Sequence, residues 1–174
     1  MNKIISQEKY AFLERQWPFD LEVDGICYRY IRGTNQIMVT SSLNLFEYRG
    51  DFIIPHKVTY REREYIVTAI GENAFYNTAI FTINMPDSIT RFGDCAFKFS
   101  TGLENITIPK NVQSIGDFAF KNCNGLMEII VEAPVPPICG EEVFENIPKT
   151  CKLIVPEASL TAYREAAEWK NLLI

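Results

Sequence analysis

A chain of 174 residues fits one compact domain or a short repeat array with caps, and its 47% apolar content supports a core rather than disorder. The net charge of −5 comes from 17 basic and 22 acidic residues scattered along the chain, and without a basic stripe no nucleic-acid partner is expected. No apolar run is long enough to span a bilayer, so no integral membrane segment is expected.

The first residues, Met1 to Lys9, turn charged before any signal-peptide apolar region develops. The chain therefore reads either as cytosolic or as starting after a removed leader. A short helix is expected over Gln7–Arg15, ended by Pro18, because proline disfavours helical geometry in the residue before it. Residues 19–55 read as an antiparallel meander. Asp24-Gly25 supplies the positive φ angles of a tight hairpin turn, and Gly33-Thr34-Asn35 makes a second turn. Such a meander would cap the edge of a repeat array, which otherwise exposes its core.

Phe52-Ile53-Ile54-Pro55 resembles a strand-and-proline phrase that returns later, but it is followed by an insertion of 9 residues within Val58–Val67. Two β-rich arms joined by Arg61-Glu62-Arg63-Glu64 predict a protruding hairpin. Its charge run reads as a contact surface or as a solvated tip.

From Ile70 the chain repeats. Ile70-Gly71-Glu72-Asn73-Ala74-Phe75 returns as Phe92-Gly93-Asp94-Cys95-Ala96-Phe97 and as Ile115-Gly116-Asp117-Phe118-Ala119-Phe120, then faintly as Cys139-Gly140-Glu141-Glu142-Val143-Phe144. The glycines are spaced by 22 to 24 residues, which is a solenoid period. Between them lie Ile80-x-x-Ile83-x-Met85-Pro86, Leu103-x-x-Ile106-x-Ile108-Pro109 and Leu126-x-x-Ile129-x-Val131. The last two apolar residues of each phrase share one face of a short strand, because side chains alternate with period 2.

The acids Glu72, Asp94, Asp117 and Glu141 are expected to cap short helical turns rather than to hold calcium or do acid–base chemistry. Phe75, Phe97, Phe120 and Phe144 would stack as an interior ladder. Asn77, Asn122 and Asn146, with Phe99 interrupting the series, suit tight turns in which an amide bonds the backbone. After Pro156 the period stops. Glu157–Glu168 reads as a helix with Leu160, Tyr163 and Ala167 on one face. Trp169 would then pack with Leu172, Leu173 and Ile174 across the last unit.

These phrases resemble the BspA-type branch of the leucine-rich repeats. Leu103 to Cys123 carries the motif almost throughout, with Ile106, Ile108, Pro109, Val112, Ile115, Gly116, Ala119 and Phe120 in place. The resemblance covers about residues 52–156 in four or five units, and the flanks Val23–Tyr28 and Tyr163…Trp169 are also similar. It implies an α/β fold: a short right-handed leucine-rich-repeat solenoid of parallel strands and short helical turns over residues 52–156, with an N-terminal cap of a short helix plus β-meander over residues 1–51 and a C-terminal helical cap over 157–174. It further implies a non-catalytic surface or secreted protein of an anaerobic bacterium, with host matrix or bacterial surface proteins as ligands in adhesion. The alternative is a scaffold role that spaces or supports a larger assembly.

No residues announce catalysis. His56 is the sole histidine, and no motif ties it to a cysteine. The glycines form neither GxGxxG nor a P-loop, so no cofactor is expected. Cys27, Cys95, Cys123, Cys139 and Cys151 lack a CxxC pair, so no metal is expected. The cysteines read as small buried hydrophobes, with one disulfide left open if the compartment is oxidising. Arg49-Gly50-Asp51 resembles the integrin-binding tripeptide, or else Gly50 simply bends the chain into the next strand. The stronger protein-binding candidate is the outward strand position occupied by Asn84, Thr107, Ile130 and Ile154. That row is expected to grow more apolar toward the C-terminus, and either to form a partner site or to lie beneath the C-terminal segment.

Overall fold

The computed structural model describes residues 19–42 and 48–172. The helix expected at Gln7–Arg15, with its stop at Pro18, and the contacts expected of Leu173 and Ile174 lie outside the described residues. The chain begins with strands β1 (Leu21–Val23), β2 (Ile26–Tyr30) and β3 (Gln36–Val39). Next come β4 (Arg49–Ile53), β5 (Lys57–Tyr60) and β6 (Arg63–Ile70). Each following coil contributes a longer strand and a two-residue strand: β7 (Ala79–Asn84) with β8 (Arg91–Phe92), β9 (Asn105–Ile108) with β10 (Ser114–Ile115), and β11 (Glu128–Val131) with β12 (Ile138–Cys139). Strand β13 (Lys152–Ile154) and helix α1 (Leu160–Glu165) close the chain.

Two sheets result, and the chain is a short leucine-rich-repeat-like solenoid. One sheet runs β4-β7-β9-β11-β13, all parallel. The other runs β1-β2-β3-β6-β8-β10-β12, with β5 paired to β6 beside this path. The Asp24-Gly25 turn forms with φ of 51° and 79° and joins antiparallel β1 and β2. The meander stops sooner than expected, however. β3 pairs parallel with β6, and β4 pairs parallel with β7, so within 19–55 only the β1-β2 and β2-β3 contacts are antiparallel. Burial accounts for this, since Ile37 and Val39 lie in the core like the repeat strands they adjoin.

The core lies between the sheets. Ile83, Ile106 and Ile129 fill it from one side, and Ile70, Phe92 and Ile115 from the other. Phe75, Phe97, Phe120 and Phe144 stack as expected, with centroids 5.2, 5.1 and 5.7 Å apart and planes within 4° of parallel. This spacing follows the strand separation of about 4.8 Å, since each ring rides on one coil. Tyr48 and Phe52 end the stack against Phe75, and Trp169 ends it against Phe144 at 4.9 Å.

The turns carrying these rings are not helical, which corrects the expectation. Every fourth residue has positive φ: Asn73 and Asn77, Cys95 and Phe99, Phe118 and Asn122, Glu142 and Asn146. That conformation aims alternate N–H groups along the solenoid axis, where they bond the next coil instead of their own. Asn73, Phe75 and Asn77 donate to the carbonyls of Asp94, Ala96 and Lys98 at 2.7–3.0 Å, and the same triplet recurs in the next two coils. A third ladder of backbone bonds thus replaces the convex helices.

Two of the four acids, Asp94 and Asp117, belong to this ladder, whereas Glu72 accepts from the neighbouring Asn73 side chain. Asp94 Oδ1 accepts the Asp117 N–H at 3.0 Å, and Asp117 Oδ1 accepts the Glu141 N–H at 2.8 Å, so each serves the following coil rather than its own turn. The glycine position follows from the same contact. A Cβ on Gly116 would stand 2.3 Å from Asp94 Oδ1 and 2.6 Å from the Asp94 nitrogen. The asparagines also differ from expectation, because Asn146 Nδ2 donates to Asn122 Oδ1 at 3.0 Å, amide to amide rather than amide to backbone. Ser100 and Cys123 hold one further position, bonding the carbonyls of Phe75 and Phe97 in the preceding coil at 2.5 and 3.0 Å. Cys27 and Cys123 are buried, the other three cysteines are intermediate, and all five are free thiols. Burial pushes the Cys123 thiol up to about 12.

The C-terminal segment is not one helix. A 3₁₀ turn at Glu157–Ser159 precedes α1, the chain extends at Ala166, and Glu168 takes a φ of 67° before a second 3₁₀ turn at Trp169–Asn171. The break lets Trp169 swing to the side of Tyr163, with rings 5.4 Å apart, whereas an unbroken helix would point it away. Ala167 is consequently exposed rather than on the packed face.

Candidate functional site

The outer face of the five-stranded sheet collects the outward strand residues into rows. Ile53 pairs with Asn84, Thr107 pairs with Ile130, and Ile130 pairs with Ile154. Asn84 and Thr107 directly follow the paired Ile83 and Ile106, which completes the row. From Asn84 and Thr107 to Ile130 and Ile154 the row grows more apolar toward the C-terminus, and Ile53 extends it with an apolar residue at the other end. It is apolar at both ends, and Asn84 and Thr107 form a polar middle. Ile53 is 70% exposed and joins the row at its N-terminal end, where the Phe52–Pro55 phrase aligns it with Asn84.

As far as Leu172, the described part of the C-terminal segment lies at the end of the solenoid rather than over this face. It caps the end of the core, where Ser159 Oγ, Tyr163 OH and Trp169 Nε1 donate to the carbonyls of Pro134, Ala133 and Pro137 at 2.7–2.9 Å. Ile154 stays 45% exposed and Ile130 is half-buried. Phe81 and Met127, each just over half exposed, enlarge the apolar surface. Sequence periodicity misses Phe81, because a register shift pairs Gly50 with Ile80 and Asp51 with Thr82 and leaves Phe81 unpaired between them. A groove of about 460 Å³ crosses the middle, lined by Thr82, Asn84, Thr107, Met85, Asp87 and Glu132 among others. Asp87 meets Lys110 at 2.5 Å, and this hydrogen bond holds the ammonium above the usual lysine range.

The remaining candidates lie elsewhere. Arg49-Gly50-Asp51 sits within β4 rather than at a loop tip. Gly50 makes the local bend with a φ of 71°, and Asp51 Oδ1 accepts a hydrogen bond from Thr82 Oγ1 at 2.7 Å. The insertion is a hairpin of β5 and β6 with a two-residue tip, Arg61-Glu62, both at positive φ. Arg61 to Glu64 are all exposed, and Lys57 pairs with Glu64 at 2.6 Å. His56 is exposed in the loop before β5. Among the described residues, no three His, Cys, Asp or Glu side chains are grouped to hold a metal ion, and no helix is long and apolar enough to cross a membrane.

Residues 57–167 match the model of the BspA type leucine rich repeat region, in six copies. The matched span begins in the hairpin and ends in the C-terminal segment, and its six copies exceed the four or five units counted from the motif. A leucine-rich repeat protein from Bacteroides ovatus ATCC 8483 is similar at 27% identity and a TM-score of 0.61, over 80% of this chain and 38% of that one. Another from Bacteroides capillosus ATCC 29799 is similar at 25% identity and 0.62, over 78% and 97% of the two chains. A leucine rich cell surface protein from Faecalibacterium prausnitzii A2-165 shares the fold at 22% identity and 0.61, over 83% and 44%. The chain thus spans less than half the length of the Bacteroides ovatus and Faecalibacterium chains. No curated protein matches it.

Proposed function

The chain belongs to the BspA-type leucine-rich-repeat family, and from that premise we propose that it is a non-catalytic protein-binding module acting in adhesion at a bacterial surface. Membership supports a protein-interaction or structural repeat module, and leucine-rich-repeat proteins are typically non-enzymatic. The observation that carries the binding reading is the outer face of the five-stranded sheet, where Ile53 and Ile154 stay exposed in one row although both ends of the core are covered. A solenoid binds through such an extended surface, and exposed apolar side chains along it mark where a partner removes area from water. The surface location is supported by the family and by the description of the Faecalibacterium protein as a cell surface protein.

The test is binding of the purified chain to immobilised host matrix proteins and bacterial surface extracts, with Ile130→Asp alongside. Saturable binding that disappears in the variant, while its thermal unfolding stays near that of the parent, is the expected result. Binding that persists in the folded variant would remove Ile130 from the site. No binding to any protein tested would favour the scaffold role.

A further inference from the structure

We propose that the segment received on this face is basic, a stretch of partner protein carrying Lys or Arg among apolar residues. The inference rests on the binding reading above and adds the chemistry of the partner. Around the C-terminal half of the face, the exposed Met127, the half-buried Ile130 and the exposed Ile154 lie among three carboxylates: Glu104, Glu128 and Glu132. None of the three is ion-paired among the described residues, whereas Asp87 nearby is matched by Lys110. Lys152 is the cross-strand neighbour of Glu128, and Lys110, paired with Asp87, also acts on Glu132, so with Asp87 included four carboxylates face two cations. Glu132 also lines the groove that leads from this patch to Asn84 and Thr107.

An acid beside exposed apolar surface suits one side-chain type in particular. Lys and Arg lay an aliphatic stem on apolar neighbours while the charged head reaches a carboxylate. An acidic partner would instead add like charge, which opposes close contact. A neutral apolar partner would desolvate the carboxylates without replacing their water, a cost that grows with burial. The hydroxyls and amide of Thr82, Asn84 and Thr107 supply hydrogen-bonding groups along the rest of the groove.

Fluorescence anisotropy tests this with two labelled peptides, one alternating lysine with leucine and the other carrying glutamate in place of lysine. The lysine peptide should bind, weaken as salt is raised, and lose about tenfold in affinity to Glu132→Lys or Glu104→Lys, with a smaller loss to Glu132→Gln. The glutamate peptide should not bind. Circular dichroism of each variant confirms that the fold survives at these exposed positions. Equal binding of both peptides, or binding of neither, overturns the inference. If the glutamate peptide binds and Ile130→Asp removes that binding, the face is a binding site but its preference for basic partners is wrong. If the lysine peptide binds and neither Ile130→Asp nor charge reversal alters it, both the inference and the face fall.

Discussion

The inward and outward rows of the same strands obey different rules. Inside, Ile83, Ile106 and Ile129 share one place in successive coils, and phenylalanine holds its place in four. Outside, Ile53, Asn84, Thr107, Ile130 and Ile154 hold a single place with no common chemistry. An inner side chain must fit the coil before it and the coil after it at a fixed spacing, so one solution is reused. An outer side chain meets only solvent or a partner, and its identity is free to serve binding.

If that contrast is right, substitutions should separate by row. Phe97→Ala removes a ring stacked between two others and should cost about 3–5 kcal/mol, the usual range for a buried aromatic. Ile53→Ser on the outer row should stay within about 0.5 kcal/mol. Urea unfolding of the two variants compares them, and equal losses would break the distinction. Gly116→Ala tests the turn ladder and should cost about 1–3 kcal/mol, because the new methyl meets the preceding coil. Adding Asp94→Ala should not restore stability, since backbone atoms of Asp94 and Gly93 also stand 2.6 Å away.

Trp169→Phe keeps an aromatic ring over Phe144 but leaves the Pro137 carbonyl without its donor. A loss of about 1 kcal/mol in thermal unfolding is expected, which sharpens how much the C-terminal cap contributes through hydrogen bonding. Phe99→Asn should have the opposite sign. Phe99 sits at a φ of 64°, where its equivalents are asparagines, so relief of the left-handed backbone should stabilise by up to about 1 kcal/mol. A net loss would mean that the contacts of the ring with Tyr76 and Lys98 outweigh the backbone term.

The repeat period, the strand phrases, the phenylalanine ladder and the two-residue Asp24-Gly25 turn were all legible in the residues. Each depends on short-range periodicity or on the conformation one dipeptide prefers. What was misread involves a neighbouring coil. The acids looked like helix caps because a carboxylate before a turn usually bonds that turn, and nothing local reveals that the Asp117 N–H lies closer to Asp94. The expected helical turns failed for the same reason, since positive φ at Asn73, Cys95 and Phe118 makes sense only when another coil supplies the acceptor. Of the candidate face, Asn84, Thr107, Ile130 and Ile154 could be picked out from strand alternation, whereas Phe81 required the register shift against β4.

By itself, then, the sequence determined that this chain is a solenoid, which side of each strand faces in, and which residues stack at its centre. Hydrophobic periodicity is a property of consecutive residues, and it survives without coordinates. The tertiary structure alone decided where parallel pairing begins, which coil each turn amide bonds, and that Ser159, Tyr163 and Trp169 close the end of the core. Those outcomes depend on distances between residues about one coil or more apart, and such distances are set by how the coils stack.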